Sequence, residues 1–168
     1  MIERSVGILG VGSYVPDTIV TNEDLKKYMD TSDEWIRERT GIRERRFASP
    51  EQATSDLATE AARKALAHAG VSAEEIDLII VGTVSPDMLL PSTACLVQNN
   101  IGAVNAGAFD LSAACAGFIY GLIMGSQMVK TGACKKVLVI GAETLTRIVN
   151  LVTEAQALSL PMAQERRF

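Results

Sequence analysis

Residues 107–122 read GAFDLSAACAGFIYGL, a short apolar run that passes through small residues into a helical pattern. The segment GAFDL has the length and composition of a strand, and the helical pattern continues as far as Gly132. Strands that lead into helices in this way build layered α/β folds. The stretch therefore predicts an α/β protein.

Similar apolar runs lie on both sides of this stretch, DLIIVGT from Asp77 and KVLVIGAE from Lys136. Near-continuous apolar runs are typical of parallel strands that are covered on both faces. Because helical patterns separate the runs, they predict a βαβ series and a mostly parallel sheet with right-handed crossovers. The segment Ser5–Val11 predicts one more strand at the beginning of the chain, followed by a turn at residues 13–16.

The other helices are predicted from residues that favour helix starts, with two alternatives at each of the first two: Thr21 or Asn22, Ser32 or Asp33, Thr54, and Pro91. Gly41 and Gly70 are placed to end the second and the third of these helices. In the third helix, alanines and leucines recur at helical spacing and form one apolar stripe. His68, the single histidine of the chain, falls on the polar face, so we expect no catalytic role for it.

The composition limits the class of protein. With 168 residues and 48% hydrophobic content, the chain has enough apolar material for the core of one domain. A net charge of -4 and a pI near 5.1 leave no broadly basic face for nucleic acid, and we interpret the basic residues between Arg37 and Arg46 as a solvated helix end and turn. The first residues do not form a signal peptide, and no apolar run approaches the roughly 20 residues of a membrane span, so we expect a cytoplasmic protein that does not bind membranes.

The three cysteines, Cys95, Cys115 and Cys134, have no CxxC spacing, and their odd number leaves one unpaired in any disulfide scheme. We therefore expect neither a metal site nor a structural disulfide, and a reducing compartment fits best. Gly10 and Gly12 lack the third glycine and the following helix of a dinucleotide fingerprint, so no nicotinamide cofactor is expected.

Cys115 stands where the predicted strand gives way to the predicted helix, among alanines and ahead of Gly117. The free N–H groups and the positive dipole end of a helix stabilise a thiolate, and small neighbours let a substrate carbonyl approach. The backbone N–H of the cysteine can also help to hold a developing oxyanion. A cysteine among alanines is equally compatible with a small buried apolar residue. The position of Cys115 alone leaves both interpretations open. We interpret Cys95 and Cys134 as structural.

Four segments of the chain resemble one known family: DLSAACAGFIYGL at residues 110–122, TSDEWIRERTGIRER at 31–45, PSTACLVQNNIGA at 91–103, and KVLVIGAETLTRIV at 136–149. They resemble the β-ketoacyl-[acyl-carrier-protein] synthase III family of the thiolase-like superfamily. The resemblance extends from about Val6 to Asn150. It implies that residues 1–150 form the N-terminal half of the layered αβαβα architecture of that superfamily.

The resemblance implies roles for five residues. Cys115 would accept an acyl group, with acetyl-CoA as the expected primer, and the thioester would then react with malonyl-acyl carrier protein. Trp35 would stack on the adenine of coenzyme A, with Thr31 and Arg39 contacting the same molecule. Leu90 would reach the acyl pocket of a partner subunit, although ordinary core or interface packing is an alternative. Acyl-CoA is thus expected as a substrate, and the resemblance implies no cofactor and no metal.

The resemblance also implies features that these residues do not supply. The second half of the family contributes a histidine and an asparagine that stabilise the carbanion formed when the malonyl group loses carbon dioxide, and full-length members are expected to be homodimers. Two alternatives stay open: a catalytically inactive truncated fragment, and another condensing enzyme of the superfamily that uses coenzyme A. Half of a two-domain core should expose apolar surface, so we expect aggregation or obligate association.

The tail at residues 151–168, LVTEAQALSLPMAQERRF, does not resemble the family, which continues with a segment of the form DRSTxVxFxDGAGAxV. A shifted reading of the codons possible from Val152 onward allows DRSTSVIFADGAGAAV. Met162 followed by Ala163 forces a glycine codon in that frame, where the family has its first glycine. These matches lead to the hypothesis that the tail is out-of-frame translation.

Overall fold

A computed structural model of the protein describes residues 5–148. In this range the strands and helices follow one another as β1 (Thr18–Thr21), α1 (Asn22–Leu25), α2 (Asp33–Thr40), β2 (Glu44–Phe47), α3 (Thr54–Ala69), β3 (Leu78–Gly82), α4 (Thr93–Ile101), β4 (Gly107–Leu111), α5 (Gly117–Thr131) and β5 (Val137–Gly141). They form two compact units. The first contains residues 5–14 and 53–143, and the second contains residues 15–52 and 144–148.

The first unit is built on a parallel sheet with the strand order β4-β3-β5. Leu78 of β3 is paired with Gly107 of β4 on one side and with Val137 of β5 on the other. The central strand is buried from Ile79 to Gly82, as its continuous apolar sequence predicts. The predicted α/β fold with a mostly parallel sheet is confirmed.

Helices α3 and α4 pack together with the sheet and enclose the core of this unit. The buried core residues are Ala58, Ala62, Ile76, Ile79, Val81, Ala94, Val97, Ala103, Ala106, Leu138 and Ile140. The larger aliphatic side chains among them each contribute about 1.5–3 kcal/mol on burial. The predicted stripe of α3 supplies Ala58 and Ala62, and the helix ends at Gly70 with a φ of 62°.

Helix α5 lies very close to the sheet because glycines face the strands. A Cβ atom on Gly121 would lie 2.8 Å from Cγ1 of Val139, and one on Gly125 would lie 3.1 Å from Cγ1 of Val137. The other side of the helix is apolar and exposed at Ile119, Tyr120 and Ile123. A helix that is apolar on both sides is suited to an interior layer rather than to a surface.

The second unit contains an antiparallel pair of strands, β1 and β2, in which Thr18 is paired with Phe47. The side chain of Thr21 caps α1, and that of Ser32 caps α2. These two residues decide between the alternative caps, since Asn22 and Asp33 are the first residues of their helices. Gly41 ends α2 with a φ of 74°, in agreement with the prediction.

The predicted strand at Ser5–Val11 is wrong for the described part of the chain. Its apolar residues alternate as in a strand, but a strand requires a neighbour for its backbone hydrogen bonds, and this segment has none among residues 5–148. It runs instead against α3, where a Cβ atom on Gly10 would lie 2.6 Å from the carbonyl oxygen of Ala65, and one on Gly12 would clash with the carbonyl oxygen of Ala61. Gly10 and Gly12 therefore serve close packing against a helix.

Two further expectations need correction. The basic residues between Arg37 and Arg46 were interpreted as a solvated helix end and turn. Arg37 and Arg39 do lie in the last turn of α2, whereas Glu44–Phe47 forms β2 and pairs with Thr18–Thr21. The helix predicted from Pro91 begins at Thr93, since the side chain of Ser92 accepts from the N–H of Cys95 and serves as the cap. Of these two strands, β2 reads ERRF and is charged, while β1 reads TIVT but has only four residues, which is why the sequence did not predict the pairing.

Candidate active site

The predicted nucleophile lies at the carboxyl end of β4. Cys115 belongs to the 3₁₀ turn Ala114–Ala116 that connects β4 to α5, and its side chain is exposed. The N–H of Ala116 donates to the carbonyl oxygen of Ala113 over 3.0 Å and closes the turn. Ala116 is also the N-cap of α5 and has no side chain that could accept from the first N–H groups of this helix. The thiol is therefore accessible beside a helix start whose dipole favours an anion.

The backbone of this turn is held in an unusual conformation. Ala114 has a φ of 44°, and left-handed backbone costs an alanine about 1–2 kcal/mol. The end of the neighbouring strand supports the turn, because a Cβ atom on Gly82 would lie only 2.8 Å from the carbonyl carbon of Gly117. The N–H of Thr83 donates to the carbonyl oxygen of Leu111 over 3.2 Å. Close backbone packing between β3, β4 and α5 thus fixes the position of the cysteine.

The first residues of the loop between β3 and α4 are hydrogen-bonded to the carboxylate of Glu143, which lies just beyond β5. This carboxylate accepts from the N–H of Val84 over 2.9 Å, from Oγ1 of Thr83 over 3.3 Å and from the N–H of Ser85 over 3.1 Å. It also accepts from the hydroxyl of Ser85. One side chain therefore fixes three consecutive residues at the start of the loop.

Two aspartates hold the rest of this loop. Asp87 accepts from the N–H of Ser55 over 2.8 Å and from its hydroxyl over 2.6 Å, at the first turn of α3. Asp110 of β4 accepts from the N–H groups of Thr93 and Ala94 over 2.8 and 2.7 Å, at the first turn of α4. Carboxylates at helix N-termini are favourable because of the free N–H groups and the helix dipole. The loop is thereby anchored on both sides of its tip.

The tip of the loop is apolar and exposed. Leu89 and Leu90 are 92% and 85% exposed, and Met88 is also exposed. Leu90 is therefore not part of the core of its unit. Because β3 and β4 are parallel neighbours, the loop after β3 and the turn that contains Cys115 lie at the same edge of the sheet.

The three residues expected to contact coenzyme A belong to the second unit, at the start and on one face of α2. The guanidinium carbon of Arg39 lies 4.3 Å from the centre of the Trp35 ring, since residues four apart share a helix face. Thr31 lies just before the helix, and its Oγ1 is buried without a hydrogen-bond partner among the described residues. The structure therefore brings Trp35 and Arg39 into contact, while the hydroxyl of Thr31 is not accessible.

The remaining cysteines and the histidine lie away from the turn that contains Cys115. Sγ of Cys95 accepts from the hydroxyl of Ser92 over 3.2 Å, and burial raises the pKa of the Cys134 thiol. Nδ1 of His68 accepts from the N–H of Val11 over 3.1 Å on the exposed side of α3.

Within residues 5–148, no group of histidine, cysteine and acidic side chains could hold a metal ion. In the same range, no helix combines the length and apolar character of a membrane span.

The sequence did not reveal the carboxylates that anchor the loop. A signal was available, because Asp110 lies within GAFDL and Glu143 follows KVLVIG, near the carboxyl ends of predicted parallel strands where functional sites form. Nothing in the sequence predicted the left-handed backbone of Ala114, since this conformation is mainly adopted by glycine, asparagine and aspartate.

Comparison with solved structures identifies the class of protein. The structure of 3-oxoacyl-[acyl-carrier-protein] synthase III from Aquifex aeolicus is similar, with a TM-score of 0.87 and 50% identity over 90% of this chain and 49% of that one. The priming β-ketosynthase of the R1128 polyketide pathway is also similar, with a TM-score of 0.90 and 40% identity over 93% of this chain and 47% of that one. The fold is thus that of the thiolase-like condensing enzymes.

Sequence comparison identifies the family. The sequence model of 3-oxoacyl-[acyl-carrier-protein] synthase III matches residues 109–160, which include the turn at Cys115 and extend beyond residue 150. The β-ketoacyl-[acyl-carrier-protein] synthase III of Caldanaerobacter subterraneus subsp. tengcongensis is 62% identical over 87% of this chain and 44% of its own length. The chain belongs to the β-ketoacyl-[acyl-carrier-protein] synthase III family and spans about half the length of the curated relatives that it matches.

Proposed function

We propose that this chain carries the acyl-accepting site of a β-ketoacyl-[acyl-carrier-protein] synthase III. The observation that carries the proposal is the exposed thiol of Cys115 at the start of α5, where the cap residue Ala116 offers no competing side chain. The thiol stands beside the free N–H groups of the helix start and can be reached by a thioester. Acyl-CoA is the proposed donor, with acetyl-CoA as the expected primer.

In the first half-reaction, the thiolate of Cys115 attacks the thioester carbonyl of acyl-CoA. The carbonyl oxygen becomes an oxyanion, for which backbone N–H groups at the start of α5 are suitable donors. When the carbonyl re-forms, the bond to the sulfur of coenzyme A breaks, and coenzyme A leaves as a thiolate that takes up a proton. The product is an acyl group bound as a thioester to Cys115.

The second unit supplies the proposed binding surface for coenzyme A. Trp35 offers an aromatic face for the adenine, and the guanidinium of Arg39, which already stacks on that ring, offers a positive charge for the phosphates. The hydroxyl of Thr31 is buried, so we propose that Thr31 contributes through its backbone or after a local shift.

In the second half-reaction, malonyl-acyl carrier protein loses carbon dioxide, and its carbanion attacks the acyl carbonyl and releases the Cys115 thiolate. In the family this step uses a histidine and an asparagine from the second half of the protein. His68, the only histidine of these 168 residues, lies on α3 and bonds to Val11, so it does not fill this role. We propose that the complete reaction takes place in a full-length, cytoplasmic homodimer, in which Leu90 contacts the partner subunit.

A second candidate is a catalytically inactive fragment. The exposed apolar side of α5 favours it, because such a surface is normally covered by another part of a protein core. The similarity to a priming polyketide ketosynthase also keeps another coenzyme A-dependent condensing enzyme as an alternative.

Incubation with acetyl-CoA tests the proposed first half-reaction. The purified chain should gain the mass of one acetyl group, and peptide mapping should locate it at Cys115. Cys115→Ala should abolish the adduct, while Cys134→Ala, at a half-buried cysteine of the same unit, should retain it. The absence of an adduct in the folded wild-type chain would favour the inactive fragment, and equal labelling with butyryl-CoA would leave the primer open.

The origin of residues 151–168, which lie outside the described residues, is a separate proposal. We infer that this tail is out-of-frame translation and that the family domain ends near residue 150, although the family's sequence model extends to residue 160. The coding DNA decides between these boundaries. A shift of one or two bases near codon 151 should restore the family segment, and the proposal fails if no shift does so.

A further inference from the structure

One buried amide links the two ends of α2. The side chain of Asn22 is 1% exposed, and its Nδ2 donates to Oδ1 of Asp33 over 2.8 Å and to the carbonyl oxygen of Ile42 over 2.8 Å. Asp33 is the first residue of α2, and Ile42 follows Gly41, which ends it. Asn22 therefore holds the helix at its beginning and at its end.

The same amide also accepts a hydrogen bond from a buried arginine. Oδ1 of Asn22 accepts from Nη1 of Arg45 over 2.5 Å, and Arg45 is 2% exposed. Among the described residues, Nε of Arg45 has no hydrogen-bond partner and no carboxylate forms an ion pair with its guanidinium. Burial lowers the pKa of Arg45, because a charged group loses hydration there. A buried cation of this kind is costly unless an anion is linked to it.

Asn22 makes that link to Asp33. The hydrogen bond from Asn22 is the main cause that lowers the pKa of the Asp33 carboxyl, and Arg37, four residues further along α2, adds to the effect over 3.3 Å. Arg45, Asn22 and Asp33 thus form a chain from a buried cation to the first turn of α2. A substitution at position 22 whose side chain cannot both accept and donate would break this chain of hydrogen bonds at its centre.

The residues proposed to bind coenzyme A are attached to this helix. The N–H of Trp35 donates to Oγ of Ser32 over 3.1 Å in the first turn, directly beside Asp33. Arg39 stands one turn later and stacks on the Trp35 ring at 4.3 Å. The direction in which the indole and the guanidinium point therefore depends on where the two ends of α2 are held.

We infer that Asn22 is a positioning residue for nucleotide binding: it fixes both ends of α2 and thereby sets the orientation of Trp35 and Arg39. The inference rests on the proposed function, since it assumes that this face of α2 binds coenzyme A. It assigns to Asn22 no contact with the ligand. A mutation of Asn22 should accordingly weaken binding of coenzyme A more than it changes the chemistry at Cys115, which belongs to the other unit.

Trp35 allows a direct measurement, because it is the only tryptophan of the chain. Titration of the 168-residue protein with coenzyme A should quench the fluorescence of Trp35 in the wild type. Asn22→Ala should weaken this binding roughly tenfold, the effect of leaving a buried polar partner unsatisfied at an anchoring point. Asn105→Ala, which removes a surface amide bonded to the carbonyl oxygen of Glu74, is the matched control and should bind as the wild type does. Alkylation of Cys115 by iodoacetamide should proceed at the same rate in all three proteins.

The outcomes separate this inference from the proposed function. If coenzyme A neither quenches Trp35 nor leads to an acetylated Cys115 in the wild type, the proposed function fails and the inference fails with it. If the wild type binds and Asn22→Ala binds equally well, only the role of Asn22 is overturned. Should Asn22→Ala fail to fold, Asp33→Ala decides, because it removes the oxygen that accepts from Nδ2 of Asn22 at the start of α2. Weaker coenzyme A binding by folded Asp33→Ala supports the inference, and unchanged binding overturns it.

Discussion

Gly82 at the end of β3 and Gly117 at the start of α5 are in direct backbone contact. A Cβ atom on Gly82 would lie 2.8 Å from the carbonyl carbon of Gly117, 3.1 Å from its oxygen and 3.0 Å from the nitrogen of Phe118. All three neighbours are backbone atoms, which cannot turn aside as a flexible side chain could. The exact separation of β3 and α5 therefore sets the place of the turn that carries Cys115.

Gly82→Ala should displace the start of α5. We expect a loss of about 1–3 kcal/mol in the free energy of unfolding from overpacking, and a fall of at least tenfold in the rate of Cys115 acetylation because the thiol is misplaced. Denaturant unfolding and time-resolved mass spectrometry measure the two effects. Gly7→Ala is the control, since a Cβ atom on Gly7 would meet nothing within 4 Å. Normal acetylation by a folded Gly82→Ala protein would refute the argument.

The positive φ of Ala114 leads to a ranking of substitutions. Ala114→Gly should be tolerated, because relief of the left-handed backbone offsets the larger conformational freedom of glycine in the unfolded chain. Ala114→Val should lose about 1–3 kcal/mol of stability, because a β-branched side chain is strained in that region. Denaturant midpoints provide the measurement, and a valine variant as stable as the glycine variant would be inconsistent with the described turn.

Glu143 should control the order of the loop between β3 and α4. In Glu143→Gln, an NH2 group replaces one accepting oxygen and faces donors from Thr83, Val84 and Ser85. We expect amide hydrogen exchange in residues 83–90 to become at least tenfold faster, while peptides from α3 remain protected. Glu60→Gln is the control, because the Glu60 carboxylate pairs with Arg63 at the exposed surface of α3, away from the loop. Equal amide exchange rates in residues 83–90 of both variants would contradict this role of Glu143.

Asp77 gives a prediction for acid stability. The N–H groups of Lys136 and Lys135 donate to its carboxylate over 3.0 and 2.6 Å and lower its pKa from the ordinary value of 3.8. Because the pKa is lower in the folded chain than in the unfolded chain, the ionised carboxylate stabilises the fold above about pH 4. This stabilisation is lost as the pH falls below about 4 and through the lowered pKa. Asp77→Asn should therefore show a flatter decline of the denaturant midpoint in that range, and parallel curves for both proteins would contradict the assignment.

The apolar side of α5 should cause self-association of the isolated chain. Ile123 is 53% exposed on this side of α5, and exposed apolar patches of this kind promote contact between molecules. Ile123→Glu should shift the protein towards a monomer in size-exclusion chromatography with light scattering at micromolar concentration. Val104→Glu, at a residue that is 76% exposed but apart from α5, should leave the association unchanged. A wild-type chain that stays monomeric at all concentrations would count against an uncovered core layer.

The first unit could be predicted from sequence where burial alone decides the structure. Leu78–Gly82 and Val137–Gly141 are apolar on both faces, so each reads as a strand without knowledge of its partners. Cys115 could be placed at a strand-to-helix junction for the same reason. Ser5–Val11 shows the limit of this reasoning, since its apolar alternation is equally strong but no strand among residues 5–148 pairs with it.

The contacts that orient the candidate site were beyond sequence reasoning because they are long-range and polar. Glu143 binds residues about sixty positions earlier in the chain. Asn22 is hydrogen-bonded to both Asp33 and Arg45, which lie in separate segments whose sequences share no pattern. Hydrophobic periodicity reports which face is buried, but it does not report which acceptor meets which donor. The pairing of Thr18–Thr21 with Glu44–Phe47 was missed for a related reason, since both strands are short, they lie far apart in sequence, and Glu44–Phe47 carries three charged residues.

The strand order β4-β3-β5 leaves both outer strands with one neighbour each within the described part of the chain. β5 reads VLVIG, without a charge or a proline, and the edge that has no neighbouring strand among residues 5–148 presents backbone groups that can template cross-β pairing. Amyloid-like fibrils seeded at this edge are thus a hazard for stored or overexpressed material. A capping peptide that occupies the edge would be the appropriate stabiliser.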